Sequence, residues 1–317
     1  MPSGICSESP PEHRHDQMEI LYYILPLMAA ALYALSSIFI KVAMGAGVGI
    51  TRTLFISNWV FLFVVGPLWL ATGLESPDWT LWWVPLFAGT AAFCGALATF
   101  VALRFGDVSV ATPLLGAKVL FVALLSTLIL RESVPLTWWL GAVMTAAAIY
   151  LLGAVPAGEA RRNMTFTVMA SMGAAFGFAL LDIAAAGWAS RFGLYPFMFY
   201  TQLVVAFGSA ALLPFFSAPL REVSVRAWKW LTLGSVIVAT QFVLMAWTLS
   251  TFGKPTGVNI LYGSRGLWSV LLILAIGPLV GNFERDAGRG ILARRLIGSV
   301  LLLAAITVVV LEPQPGG

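Results

Sequence analysis

The sequence predicts an all-α integral membrane protein: ten transmembrane helices in two inverted five-helix repeats. Three observations carry this. First, 60% of the residues are hydrophobic and only 10% charged, with a mean hydropathy of +0.92, which no soluble domain needs. Second, apolar runs of about 18 or more residues recur from Ile20 to Leu311, and about 20 apolar residues at 1.5 Å rise cross a hydrocarbon core of about 30 Å. Third, a stretch occurs twice. Phe105-Gly106, leading through Thr112-Pro113 to Gly116-Ala117-Lys118, returns as Phe252-Gly253, leading to Tyr262-Gly263-Ser264-Arg265, with every pair 147 residues apart.

The elements follow in order. Residues 1–19 read as a disordered tail, with Pro2, Pro10 and Pro11 and a polar run from Glu12 to Asp16. The Glu12-His13-Arg14-His15-Asp16 cluster reads as solvated rather than metal-binding, and the apolar run after it is too long for a signal peptide. The first repeat, 20–155, holds spans at Leu21–Met44, Thr51–Thr72, Leu81–Leu103, Ser109–Leu130 and Leu136–Val155. Residues 156–164, with Glu159, Arg161 and Arg162, form a hydrophilic linker. The second repeat, 165–311, holds spans at Thr165–Ser190, Tyr195–Phe216, Trp228–Leu249, Thr256–Gly277 and Arg295–Leu311, and 312–317 is a short tail. Gly45-Ala46-Gly47-Val48-Gly49 lacks a following Lys-Ser/Thr and reads as a turn rather than a phosphate loop. Gly173 and Gly177 have the GxxxG spacing that lets helices approach closely.

The repeat reaches the last spans. Leu140-Gly141-Ala142-Val143 and Ala147-Ala148-Ile149 match Ile297-Gly298-Ser299-Val300 and Ala304-Ala305-Ile306 at an offset of 157. Because five spans is an odd number, the second half enters the membrane with opposite orientation, the arrangement that puts substrate sites near the midplane between repeats. Apart from Lys118 and Arg265, four basic residues (Arg14, Arg131, Arg191, Lys254) fall on the N-terminal side and twelve on the other. The positive-inside bias then puts both termini outside.

Charge narrows the chemistry. The net charge of +4 resides in short loops, not on a face or tail that would bind nucleic acid. Two cysteines, Cys6 and Cys94, make no disulfide framework, and both histidines, His13 and His15, precede the first span. No imidazole is therefore available in the membrane for acid–base chemistry or zinc, so neither an enzyme nor a cofactor is expected. Within the spans the charged residues are Lys118, Asp182 and Arg265. A charge there costs roughly 2.5–3.5 kcal/mol on insertion scales and is usually kept for a reason. Symmetry makes Lys118 and Arg265 face a shared central space. Asp182 either binds a coupling proton or counter-ion there, or neutralises one of the two cations. Two cations against one acid leave a positive charge that an anionic substrate group would balance, gripped by Arg as a fork and by Lys as a point charge. Asn259, Tyr262 and Arg265 share a helix face, and Gln241, Tyr33 and Ser36 are the other candidate lining residues, with Thr240 and Ser37 nearby. Phe121 and Trp268, equivalent by the repeat, either wall the space or pack against neighbours.

Ten helices in two halves, with Thr112-Pro113-Leu114 leading into Leu130-Arg131-Glu132 and then Trp138-Trp139-Leu140-Gly141-Ala142, resemble the EamA-type domain of the drug/metabolite transporter superfamily over about Leu21 to Leu311. The resemblance implies a multi-pass secondary transporter of the cytoplasmic membrane, commonly an exporter of amino acids or other small metabolites. The expected partners are a small-molecule substrate and membrane lipids, with a proton as candidate coupling ion, and the protein is a monomer or homodimer. Two departures stand out. Leu279 occupies the position that repeats Glu132, and the basic residues put the termini outside, where the superfamily usually keeps them in the cytoplasm. Neutral Tyr33, eight residues before Lys41, disfavours the acid-driven cation export of the small multidrug resistance branch. A cationic-drug exporter and a non-transporting scaffold or sensor with a structural charge network are the alternatives.

Overall fold

In the computed structural model, residues 12–105, 114–152, 164–276 and 289–311 are described, and no strand occurs among them. The helices are α1 (Glu12–Gly45), α2 (Ile50–Ala71), α3 (Trp83–Phe105), α4 (Lys118–Leu125), α5 (Leu136–Leu152), α6 (Met164–Phe192), α7 (Leu194–Gly208), α8 (Val225–Phe252), α9 (Pro255–Tyr262), α10 (Arg265–Ile276) and α11 (Arg289–Leu311). Among the described residues, six stretches are long and apolar enough to cross a membrane: Gln17–Gly45, Ile50–Ala71, Trp79–Ala102, Thr165–Phe192, Leu194–Phe215 and Val225–Phe252. Shorter apolar helices lie at Leu115–Leu130, Leu136–Leu152 and Leu296–Leu311. The protein is a multi-pass, all-helical membrane protein. The start of α1 at Glu12 falls within the stretch expected as a tail, while Asp107, Thr112 and Pro113 of the repeat and the linker charges Glu159, Arg161 and Arg162 lie outside the described residues.

Local chemistry sets most boundaries. Ser224 caps α8, its hydroxyl accepting from the Ala227 N–H at 3.2 Å, and Gly253 at φ 61° closes that helix in the left-handed conformation glycine adopts without strain. Pro255 then opens α9 at its first position, where a missing N–H costs nothing. Between α2 and α3, Asp78 caps a short 3-10 turn (Trp79–Leu81), accepting from both the Thr80 N–H and hydroxyl at 3.0 and 2.7 Å. Those donors hold the exposed Asp78 carboxyl below its ordinary range.

Two of the expected spans are not uniform helices. The fourth passes from a 3-10 turn (Leu115–Ala117) through α4 into a π-helical turn (Ser126–Leu130). The ninth is interrupted at Gly263-Ser264, between α9 and α10. A Cβ on Gly116 would lie 2.7 Å from the Ile149 side chain, and one on Gly263 would collide with the Thr145 methyl, so both cation-bearing segments are pressed against α5.

The bundle is held by close helix pairs: α1 with α8, α3 with α6, α3 with α7, α2 with α7 and α8, α4 with α6, and α5 with α11. Small residues permit them. A Cβ on Gly177 would approach the Ala91 carbonyl to 2.7 Å and Gly95 to 3.1 Å, so this glycine of the GxxxG pair sits at the α3–α6 contact, while Gly173 has nothing within 4 Å. At one end, buried Arg52 donates to the Gly47 carbonyl at 2.6 Å and the Pro219 carbonyl at 3.4 Å, and the Thr51 hydroxyl donates to the Phe215 carbonyl at 3.2 Å. These bonds clasp the α1–α2 turn to the segment between α7 and α8.

Candidate functional site

The centre of the bundle is α9, every residue of which, from Pro255 to Tyr262, is buried. A helix so enclosed cannot carry a polar face towards lipid, so its Asn259 and Tyr262 must find partners inside. The Asn259 Nδ2 donates to the Asp182 Oδ2 at 2.7 Å and to the Pro255 carbonyl at 3.0 Å. The same Asp182 oxygen pairs with the Lys118 ammonium at 2.7 Å, with side-chain exposures of only 8% and 14%. Of the two cations, the one paired with Asp182 is therefore Lys118.

Arg265 is placed differently. Its guanidinium carbon lies 5.2 Å from the ring centroids of both Tyr33 and Tyr262, which meet edge-to-face at 6.1 Å, and it hydrogen-bonds the Tyr262 hydroxyl. Tyr262 also lies under the Lys118 ammonium, at 5.6 Å. Cation–π contacts of this kind are worth up to about 2 kcal/mol when desolvated, yet they leave the charge itself uncompensated. Among the described residues, Arg265 makes no ion pair.

The cluster draws on α1 (Tyr33), α4 (Lys118), α6 (Asp182), α9 (Asn259, Tyr262) and α10 (Arg265), so it joins residues from both halves of the sequence. Lys118 and Arg265 are each the first residue of a helix, at the irregular points of the two segments. With Lys118 paired to Asp182, the surplus positive charge of the cluster rests on Arg265.

Six of the eight sequence candidates thus come together. The other two do not join them. The Ser36 hydroxyl is used locally, donating to the Tyr33 carbonyl at 2.8 Å, as is that of Ser37. Gln241 is buried on α8 and, among the described residues, has no hydrogen bond to the cluster. Thr240 is exposed and donates to the Val236 carbonyl. Phe121 packs edge-on against Phe176 at 5.5 Å, the packing alternative of the two considered. The residue that sequence reasoning passed over is Ser264, at the helix break, 2% exposed and with no partner for its hydroxyl among the described residues. Its signal was its place between Gly263 and Arg265.

Comparison with known proteins bears on this bundle. Residues 20–154 match the EamA-like transporter family. A relative from Sinorhizobium sp., described as an uncharacterized transporter in the cobO 3' region, is 34% identical over 131 residues, which is 40% of this chain and 92% of that protein. A solved chain described only as a crystal structure of protein has the same fold, with a TM-score of 0.74 at 16% identity, covering 92% of this chain and 98% of that one. Apolar helices, a central buried charge cluster and these similarities agree: the chain belongs to the EamA-like transporter family of the drug/metabolite transporter superfamily.

Proposed function

We propose that this transporter moves a small anionic or zwitterionic metabolite, such as an amino acid, organic acid or sugar phosphate, across the cytoplasmic membrane by alternating access, as an exporter or exchanger. The observation that carries the reading is Arg265: a cation inside the bundle, 5.2 Å from two tyrosine rings, whose charge no carboxylate among the described residues takes up. A substrate carboxylate or phosphate supplies that balance, with Lys118, Tyr262, Asn259 and Tyr33 around it. Asp182 serves as counter-ion to Lys118 and keeps the site at a single surplus positive charge.

The proposed frame is ten spans in two inverted repeats, 20–155 and 165–311, joined by 156–164, with both termini outside. Packing supports it. The α5–α11 contact is reciprocal: a Cβ on Gly141 would lie 3.6 Å from the Ala305 carbonyl, and one on Gly298 3.0 Å from the Ala148 carbonyl. Gly141 and Gly298 are equivalent by the 157-residue offset, as are Ala148 and Ala305. Such an isologous contact is the mark of a two-fold axis. The pairing of α1 with α8 likewise has its counterpart in that of α6 with α3, and α2 with α8 in α7 with α3.

A second reading, a scaffold held by a structural charge network, is favoured by the Lys118–Asp182 pair alone. Ligand-dependent thermal stabilisation of the purified protein separates the two. A ligand specific to the folded state adds about 2.7 kcal/mol at a hundredfold excess over its Kd. Small carboxylates or phosphates should raise the midpoint, and Arg265→Gln should abolish the rise while leaving the protein folded. If lipophilic cations act instead, or the rise survives Arg265→Gln, the anion reading is wrong.

A further inference from the structure

We propose that Glu132 is a proton-binding site of this transporter, and that its occupancy is communicated to the Arg265 segment through the contact between the π-helical turn and α9. The inference deepens the transport reading and rests on it, because Asp182, the acid first available for coupling, is committed to Lys118 and Asn259.

The geometry begins at Arg131, whose φ of 56° turns the chain back on itself after the π-helical turn. The Glu132 N–H then donates to the Ser126 carbonyl at 3.2 Å, and its own carbonyl accepts from Val134 at 3.0 Å, so the residue is pinned beneath the turn. Two hydroxyls run towards its carboxyl: Thr256 donates to Ser126 at 3.3 Å, and Ser126 donates to Glu132. Both hydroxyl residues are fully buried. The second carboxyl oxygen, Oε2, is buried and has no hydrogen-bond partner among the described residues. An ionised carboxylate offers about four lone-pair sites, and an unpartnered buried oxygen is costly in that form. A proton on the carboxyl removes the charge that the site does not satisfy.

The charged surroundings do not reverse this. Lys254, on the turn joining α8 to α9, acts on Glu132 electrostatically, and the neighbouring Arg131 is exposed. On α6, which also packs against this turn, Asp182 is paired and Arg191 is exposed. Burial outweighs these influences and pushes the Glu132 carboxyl above its ordinary range, against the Ser126 hydroxyl and the Lys254 charge.

The link to the central site is structural. Thr256 lies in the first turn of α9, the helix that carries Asn259 to Asp182 and leads through Gly263-Ser264 to Arg265. Ionisation of Glu132 strengthens the Ser126 bond, draws on the Thr256 hydroxyl and so shifts the first turn of α9. The ninth segment is broken before Arg265, and a displacement of α9 is taken up at that break.

The test uses the full chain in lipid nanodiscs. Infrared difference spectra on pH titration should show a protonated-carboxyl band that persists above the ordinary glutamate range and is lost in Glu132→Gln. In Ser126→Ala the midpoint should move upward by about one pH unit, a tenfold change in proton affinity, because the donor to the carboxylate is gone. For the coupling, a cysteine is placed at Ser264 with Cys6 and Cys94 replaced by Ser, and its maleimide reactivity is compared with and without Glu132→Gln. The ratio of the two rates should change several-fold between about pH 5 and about pH 8. A band unaffected by Glu132→Gln, an unmoved midpoint in Ser126→Ala, or a constant ratio each overturns the proposal. The ligand stabilisation that tests Arg265 is read at one pH and does not involve Glu132, so either idea can fail while the other stands.

Discussion

Replacing Asp182 by Asn should destabilise the folded protein by about 3–5 kcal/mol, the cost of breaking a buried ion pair by removing one charge. The substitution is chosen to isolate charge. Asn keeps the shape and an oxygen that can still accept from the Asn259 amide 2.7 Å away, so what is lost is the counter-charge of Lys118, itself only 14% exposed. Lys118 then faces the Tyr262 ring at 5.6 Å and the Arg265 cation, with no acid among the described residues to balance either. The double variant Lys118→Met, Asp182→Leu removes both charges and should recover stability to within about 1 kcal/mol of the parent, since apolar replacements of buried pairs are often neutral or better. Denaturant-induced unfolding in detergent micelles, followed by two probes to check two-state behaviour, measures both. A loss below about 1 kcal/mol for Asp182→Asn, or a double variant weaker than the single one, would refute the reasoning. The double variant also reports on function: if it still binds anionic ligands, Lys118 is a structural partner and Arg265 alone holds the anion.

Gly177→Leu should lower stability by roughly 1–3 kcal/mol, because even a Cβ at that position would come within 2.7 Å of the Ala91 carbonyl and push α3 from α6; the thermal midpoint checks it. Arg52→Ala should cost about 1.5–3 kcal/mol, as one charged donor to the Gly47 and Pro219 carbonyls is lost, and Arg52→Lys should recover part of it in the same assay. Tyr33→Leu should leave the fold intact and lower the affinity for carboxylate ligands at Arg265 several-fold, read by isothermal titration, since one of the two rings that orient the guanidinium is gone. For Asp78, whose folded carboxyl is held below its ordinary value, the support to the turn is complete above about pH 4 and is lost as pH falls through the lowered value; the Thr80 amide resonance should follow that titration, with a midpoint below the ordinary 3.9.

Much of this molecule was legible in its sequence because membrane crossing constrains sequence so strongly. Apolar run length pointed to the six stretches that are long enough to cross a membrane, and the recurrence of Gly-x-Lys118 as Gly-x-Arg265 singled out two cations that the structure brings to one cluster. What could not be read was pairing. One acid and two cations permit two partnerships, and the choice of Lys118 depends on how α6 lies against α4, a register that no spacing within α6 encodes. The interruption at Gly263-Ser264 was equally hidden. A glycine followed by serine is tolerated inside many membrane helices, and here the closeness of Thr145, from a distant span, accompanies the break. Ser36, Ser37 and Thr240 looked like site residues by type, but a hydroxyl on a membrane helix readily bonds a carbonyl of the preceding turn, and all three do.

The Arg52 clasp has a consequence for the response to acid. It lies at the far end of α8 from Thr256 and Glu132: Pro219 precedes that helix of 28 residues, about 42 Å long, and Thr256 follows it. A guanidinium held by peptide carbonyls has no partner that titrates near neutrality, so acidity leaves the acceptors of this fastening unchanged. The proposed proton site and this fastening lie at opposite ends of α8, so a proton taken up at Glu132 leaves the Arg52 guanidinium with the same peptide acceptors.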